Sequence, residues 1–349
     1  MKFSKLSTLF LAGTLLFNLS CRKDDPIPPP VSLGKYENGI LITNEGGFST
    51  PTSTVTYLSN DLGIQEENIF GTNNSNAILG NVLQSVGFKG DLAYLVLNVP
   101  NKIEIVNRHT FKKTGSITSN LEQARYMAFS ANNTYVTNNN FSTVKKVNIY
   151  DHANAFVKSI DFPNYAEKIT SSDGFIYVQT DGLTYDSNYN EIATGHTISR
   201  INPATNTVDK TIMLNDTAII RDLVSDQTST YVLSSDAVYT YLYKINSKTG
   251  AFTQQEVFDI PNGEKLAVDG GQVYFVTAGK KVYRLDGSNA TPLFDVDTSF
   301  IYGFNIIDSK VFVSDPNFSG NSKVRIYNLS GTLMKTITTG ISTNGFYKN

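Results

Sequence analysis

The side chains best placed to do chemistry in this sequence are three cations, Arg125, Lys168 and Arg221, each standing where a short apolar strand begins. Held at one height around a common axis, they would form a positive arc for a carboxylate, phosphate or catecholate, with each arginine able to make two parallel hydrogen bonds. Basic residues at strand ends also pair with acidic neighbours, and Glu122, Glu167 and Asp222 stand close enough in sequence to do so. A second group combines amides with rings: Asn44 and Glu45 ahead of Phe48, Asn98 ahead of Pro100, Asn140 beside Phe141, and Phe318 after Pro316 and Asn317. Such sets suit a bulky, partly flat ligand through stacking and amide hydrogen bonds. Asn-rich turns serve any β-protein equally well. Tyr185 and Tyr189 belong to an insertion from Asp181 to Gly195 that reads as a wall or lid, and Phe70 to Gly80 is a second such candidate.

Catalytic apparatus is harder to find. His109 and His152 fall in turns between strands, His196 opens a strand after the long insertion, and the three are not expected to converge on a metal. There is one cysteine and no Gly-x-Ser-x-Gly elbow, so covalent hydrolysis has no visible nucleophile. The expectation is a protein that is not an enzyme and carries no cofactor. A lactonase-type hydrolase using calcium held by loop carboxylates is the remaining catalytic alternative.

The elements that must position these residues repeat. An aromatic or apolar residue followed by an apolar, mostly β-branched partner recurs as Leu41-Ile42, Tyr94-Leu95, Tyr135-Val136, Tyr177-Val178, Tyr231-Val232, Tyr274-Phe275 and Phe312-Val313, at intervals of 38 to 54 residues. That is the period of a four-stranded propeller blade, with two insertions. In the fourth unit the strands are expected at Ala166 to Ser171, Phe175 to Thr180, Thr197 to Asn202 and Thr207 to Leu214, with Asn202-Pro203-Ala204-Thr205-Asn206 turning the last pair. Helical periodicity is nearly absent from residues 36 to 349, and Gly, Asn or Asp punctuates the chain every few residues. The fold class is all-β, a seven-bladed β-propeller with six or eight blades as the alternatives. The first blade lacks its innermost strand, and the tail Ile341 to Tyr347, beyond an outermost strand at Leu333 to Thr338, is expected to supply it and close the ring.

Three segments follow. Residues 1–20 carry Lys2, Lys5 and an apolar run from Leu9 to Leu19, too short to span a bilayer, and read as a lipoprotein signal peptide. Residues 21–35 hold Cys21, the expected lipidation site, then Arg22-Lys23-Asp24-Asp25 and the polyproline spacer Pro26 to Pro30. Residues 36–349 form the propeller. The net charge is −2 and falls further once Lys2 and Lys5 are removed, so a general attraction to nucleic acid has no support.

Tyr135-Val136-Thr137-Asn138 matches the signature of the YVTN propeller repeats, and Ile201 to Val208 is similar to that family's turn. Together with Gly39 to Phe48, Gly80 to Ser85 and Asn101 to Asn107, these segments resemble the YncE-like surface lipoproteins of Bacteroidetes over nearly the whole mature chain. The resemblance implies a lipoprotein on the outer membrane, held there by its lipid alone and facing the cell exterior. It would capture a scarce nutrient such as a ferric siderophore, cobalamin or haem and pass it to a TonB-dependent outer-membrane transporter. A propeller that binds a protein or glycan and no small molecule is the alternative.

Overall fold

The computed structural model describes residues 32–349. The expected signal peptide, Cys21 and the proline run lie outside the described residues. Gly34–Asn349 forms one compact unit. It contains seven four-stranded antiparallel sheets and one two-stranded hairpin. The innermost strands touch one another consecutively around a ring, and Thr343–Lys348 touches both Phe304–Ile307 and Val82–Lys89. The chain is an all-β, seven-bladed β-propeller.

Each repeated dipeptide falls in the second strand of a blade: Gly39–Asn44, Leu92–Val99, Thr134–Asn139, Phe175–Gln179, Ser229–Ser235, Gln272–Thr277 and Lys310–Asp315. These strands have a neighbour on both edges and a blade on both faces, so Leu41, Tyr135, Tyr177, Val232, Phe275 and Phe312 are buried. Side chains from adjacent blades fill the space between the sheets, as where Tyr135 and Val147 of blade 3 pack with Ile176 and Ile201 of blade 4. The outermost strands face solvent on one side, and Ala251–Phe258 alternates accordingly.

The turns explain the register. Asn202 accepts from the Ala204 amide at 2.9 Å, and Asn206 takes the left-handed conformation with φ 55°. In blade 5 that left-handed position falls to Gly250, φ 65°, where the absence of Cβ removes the strain. Asn206 also accepts a 2.6 Å hydrogen bond from Tyr135 of the preceding blade, so one turn residue ties two blades together.

Two expectations require correction. The ring is not closed by hydrogen bonds: every sheet is an open ladder with two edges, and none returns upon itself. Thr343–Lys348 is the innermost strand of blade 1, paired with Gly39–Asn44 as Leu41 with Tyr347 and Ile42 with Phe346, and blades meet chiefly through side-chain packing. Ile341 belongs to the outermost strand of blade 7, Leu333–Ile341. The second correction concerns Phe70 to Gly80, which is no wall of the mouth. A short helix, Ile69–Asn73, starts this stretch, capped by Asn68 on the Gly71 amide at 3.2 Å. Ile69, Phe70 and Leu79 are buried between blades 1 and 2 with Tyr36, Val55, Leu83 and Phe111. The outermost strand of blade 1 has only two residues, Gln65–Glu66, and this apolar plug packs beside the short blade.

Candidate functional site

In an up-and-down blade the connections from second to third strand, and from one blade to the next, open on the same face. The innermost strands begin there, and most share an irregularity. In blade 2 the pairing passes from Leu83 to Ser85, in blade 5 from Ile220 to Asp222, in blade 6 from Gly263 to Lys265, and in blade 3 from Ala124 to Met127. In blade 1 Thr43 and Asn44 face Gly345 and Thr343, leaving Asn344 over. In blade 4 the Glu167 amide donates to Gln179 while the Gln179 amide donates to Lys168, again two residues against one. A β-bulge turns its extra side chain out of the pleat. Gln84, Arg125, Lys168, Arg221, Glu264 and Asn344 accordingly all line one axial cavity of about 630 Å³. Blade 7 departs from the pattern, with Gly303 bonded to Ser314 in its place.

The predicted cations therefore do come together, and each has an acidic partner. Glu167 of blade 4 chelates Arg125 of blade 3, accepting from Nε at 2.9 and 3.0 Å and from Nη2 at 2.7 Å, while Nη1 donates to Gln84 at 2.7 Å. Lys168 of blade 4 lies 3.6 Å from Asp222 of blade 5 and 4.2 Å above the Tyr126 ring. Arg221 of blade 5 donates to Glu191 of the inserted hairpin at 2.6 Å. Burial works against the charge on Arg125, but Glu167 outweighs it and holds the guanidinium above its ordinary value. Burial likewise opposes the charge on Lys168, and Tyr126 and Asp222 reverse the effect. The carboxyls of Glu45 and Glu264 are raised by burial, which Tyr302 and Arg125 offset only in part for the first, and Lys265 and Arg221 for the second. Burial also pushes the Tyr347 phenol up to about 12. The cavity is thus a mixed-charge ring, more neutral than the three cations alone imply. Glu122, one of the expected partners, instead pairs with Lys146 at 3.0 Å.

The amides behave differently from their expected role. Asn44 is fully buried, donating to Thr54 and Thr56 at 3.0 Å and accepting from Thr343 at 2.7 Å. Asn98 is buried and donates to the Ala124 carbonyl, and Asn140 accepts from the amides of Ser142, Thr143 and Val144. All three fold the chain. Glu45 does reach the cavity, where it accepts from the Tyr302 hydroxyl. The histidines do not converge, and among the described residues no group of three or more His, Cys, Asp or Glu is placed to hold a metal ion.

Exposed rings gather in the loops of this face. Phe48, Phe141, Tyr185, Tyr189, Tyr239 and Phe318 all sit in second-to-third strand connections, Phe300 sits in the connection from blade 6 to blade 7, and all seven are exposed. Phe300 and Phe318 stack at 6.0 Å, and Tyr302 stands edge-on to Phe318 at 5.3 Å. Two rings stand on unfavourable backbone: Phe141 has φ 60° and Tyr189 φ 63°. The left-handed region is costly for a side chain of this size. Phe141 recovers some of that cost against Tyr165 and Arg125, at 5.7 and 5.2 Å, whereas Tyr189 is 88% exposed. Tyr239 and Phe300 were not apparent from sequence, since a lone ring in a polar loop carries no period.

Residues 38–315 match the family described as Domain of unknown function (DUF5074). No curated protein matches the chain. Among solved structures, a quinonprotein alcohol dehydrogenase-like protein from Bacteroides thetaiotaomicron superposes with a TM-score of 0.64 at 11% identity, covering 90% of this chain and 78% of that one. A functionally unknown protein from Desulfotomaculum acetoxidans gives 0.64 at 11%, over 89% and 98%. BamB from Moraxella catarrhalis gives 0.54 at 13%, over 89% and 86%. At these identities the likeness is one of fold.

Proposed function

The chain belongs to the DUF5074 family, and we propose that its propeller is a recognition scaffold that grips a partner protein with the ring of aromatic side chains around its mouth. The observation that carries this reading is Tyr189. An exposed ring on left-handed backbone is unfavourable twice over for the free protein, and contact with a partner would compensate both terms. Seven exposed rings on one face, Phe300 and Phe318 of them stacked, are apolar surface of the kind that marks interaction sites. No catalysis is required. The test is capture from native membrane extract by the wild-type chain and by a variant in which Phe48, Phe141, Tyr189 and Phe318 become Ser, with a glycan array probed in parallel. A protein retained by the first and lost by the second is expected. Binding that is confined to glycans, or indifferent to the substitutions, would refute it.

The lipoprotein signal at Cys21 gives the reading a setting: a ring tethered to the outer membrane by lipid and a proline spacer, on the exterior. Tyr36 donates to the His109 carbonyl in a third-to-fourth strand turn of blade 2, so the chain joins the ring on the face opposite the rings. A tether from that side would present the aromatic mouth outward.

A second reading, nutrient capture for a TonB-dependent transporter, draws support from the cavity volume, which falls in the range of small-molecule sites. The pairing of Arg125, Lys168 and Arg221 weighs against a strongly anionic ligand. Equilibrium titration with ferric siderophores, haem and cobalamin tests it, and absence of binding to all three would remove it.

A further inference from the structure

Resting on the recognition reading, we propose that Glu191 is an internal stand-in whose carboxylate occupies, on Arg221, the place taken by a carboxylate of the bound partner. The hairpin formed by Leu183–Tyr185 and Glu191–Ala193 stands on a firm base. Asp181 accepts there from Asn164 at 2.8 Å, from the Thr197 amide at 2.8 Å and from the Thr197 hydroxyl at 2.6 Å. Beyond that base, among the described residues, its one polar link to the axial cavity is the bond from Arg221 Nη1 to Glu191.

This pair differs from the other two in its capacity to exchange. Glu167 is buried and holds Arg125 by three bonds. Asp222 is buried and fixed by the amides of Leu223 and Leu266. Glu191 is 40% exposed at its side chain and makes a single contact, while Arg221 is 13% exposed and lines the cavity. Arg221 Nη2 has no partner among the described residues, so the planar fork is half used. A carboxylate arriving from the cavity could take both nitrogens.

The surroundings favour the exchange. Lys265 lines the same cavity and, among the described residues, its side chain makes no hydrogen bond or ion pair, which leaves it as a second donor. Glu264 on the adjacent bulge makes no side-chain bond among the described residues and lies within electrostatic reach of both Arg221 and Glu191, so it weakens the pair while repelling a carboxylate from either source alike. Glu45, Glu167, Asp222 and Glu264 share the cavity wall, which sets a monoanion ahead of a phosphate dianion. The carboxylate would come either from an acidic side chain of the partner or from a small monocarboxylic acid.

The experiment is NMR titration of the full chain with propionate and, separately, with an end-capped hexapeptide carrying a single Glu, following Arg221 Nε–Hε and the amides of Leu183 and Ala193. Removing the internal competitor by Glu191→Ala should tighten carboxylate binding about fivefold, the most that a partly exposed ion pair of this kind holds back. Arg221→Gln should abolish it. Binding of the peptide alone assigns the carboxylate to a macromolecular partner, and equal binding of propionate assigns it to a small acid. No binding to Glu191→Ala at about 50 mM probe, or undiminished binding to Arg221→Gln, would overturn the proposal. Neither probe needs the exposed rings, so failure of the wild-type chain to capture a partner, with carboxylate binding intact, would count against the aromatic reading alone.

Discussion

Replacing Tyr189 by Asn should stabilise this protein, although it removes a large side chain. Tyr189 holds φ 63° in the hairpin turn, where its amide donates to the Asp186 carbonyl. Left-handed backbone costs a residue with a full side chain about 1–2 kcal/mol, and Asn is among the few that relieve part of it through local hydrogen bonding. Against this stands the packing that is lost. At 88% exposure the ring keeps roughly 25 Å² in contact with protein, worth about 0.6 kcal/mol. The balance is a gain of about 0.5 kcal/mol. Leu62 supplies the control, because it has φ 64° but is only 7% exposed and packs with Ile40, Leu58 and Ile337. There the lost burial, about 1.5–3 kcal/mol, exceeds the relief, so Leu62→Asn should destabilise by about 1 kcal/mol. Urea unfolding with unchanged slope reads both. A loss of 1 kcal/mol or more in Tyr189→Asn would show that the ring supports the fold and would refute the argument that its exposure serves a partner.

Three other outcomes follow from the site. Arg125→Met should cost about 3 kcal/mol by stranding Glu167 in the cavity wall, and the double change with Glu167→Leu should recover most of it in the same urea assay. Asn44→Ala leaves the hydroxyls of Thr54, Thr56 and Thr343 without their shared partner and should cost about 1–3 kcal/mol, with no effect on any partner affinity measured in parallel. Glu264 has its folded pKa raised by burial, so the folded state binds a proton more readily than the unfolded one, and stability is lost as pH rises above the ordinary carboxylate value of 4.5. Glu264→Gln should therefore match the wild type near pH 4 and exceed it at pH 8, and equal urea midpoints at both values would contradict the burial argument.

The blade is legible in sequence because a strand buried on both faces needs ring-bearing and branched residues in succession, and that requirement recurs with every turn of the propeller. In blade 4 the third strand falls where expected, at Thr197–Asn202, and the second and fourth differ by one residue at their ends. The innermost strand begins at Ile169, three residues later than expected, because Glu167 and Lys168 are taken into the bulge. A bulge is a property of two strands in register, and no residue type announces it. Glu167 and Asp222 were legible as acidic partners, but which cation each would meet was not, since Arg125 meets an acid one blade away and Arg221 meets one on an insertion. Asn44, Asn98 and Asn140 were open to two roles, and an amide in a tight connection is drawn to the nearest backbone group or hydroxyl before any ligand arrives.

Blade 1 has a consequence for how the molecule comes into being. Its second strand, Gly39–Asn44, is made about 300 residues ahead of its partner Thr343–Lys348. At ribosomal speed the interval is roughly 15 to 60 s. Throughout it Ile40, Leu41 and Ile42, which end fully buried, must wait with one strand edge bare. The nascent chain therefore carries a sticky apolar edge for as long as the six blades between are being made, and a ribosome stalled in that interval would leave the edge permanently without its partner.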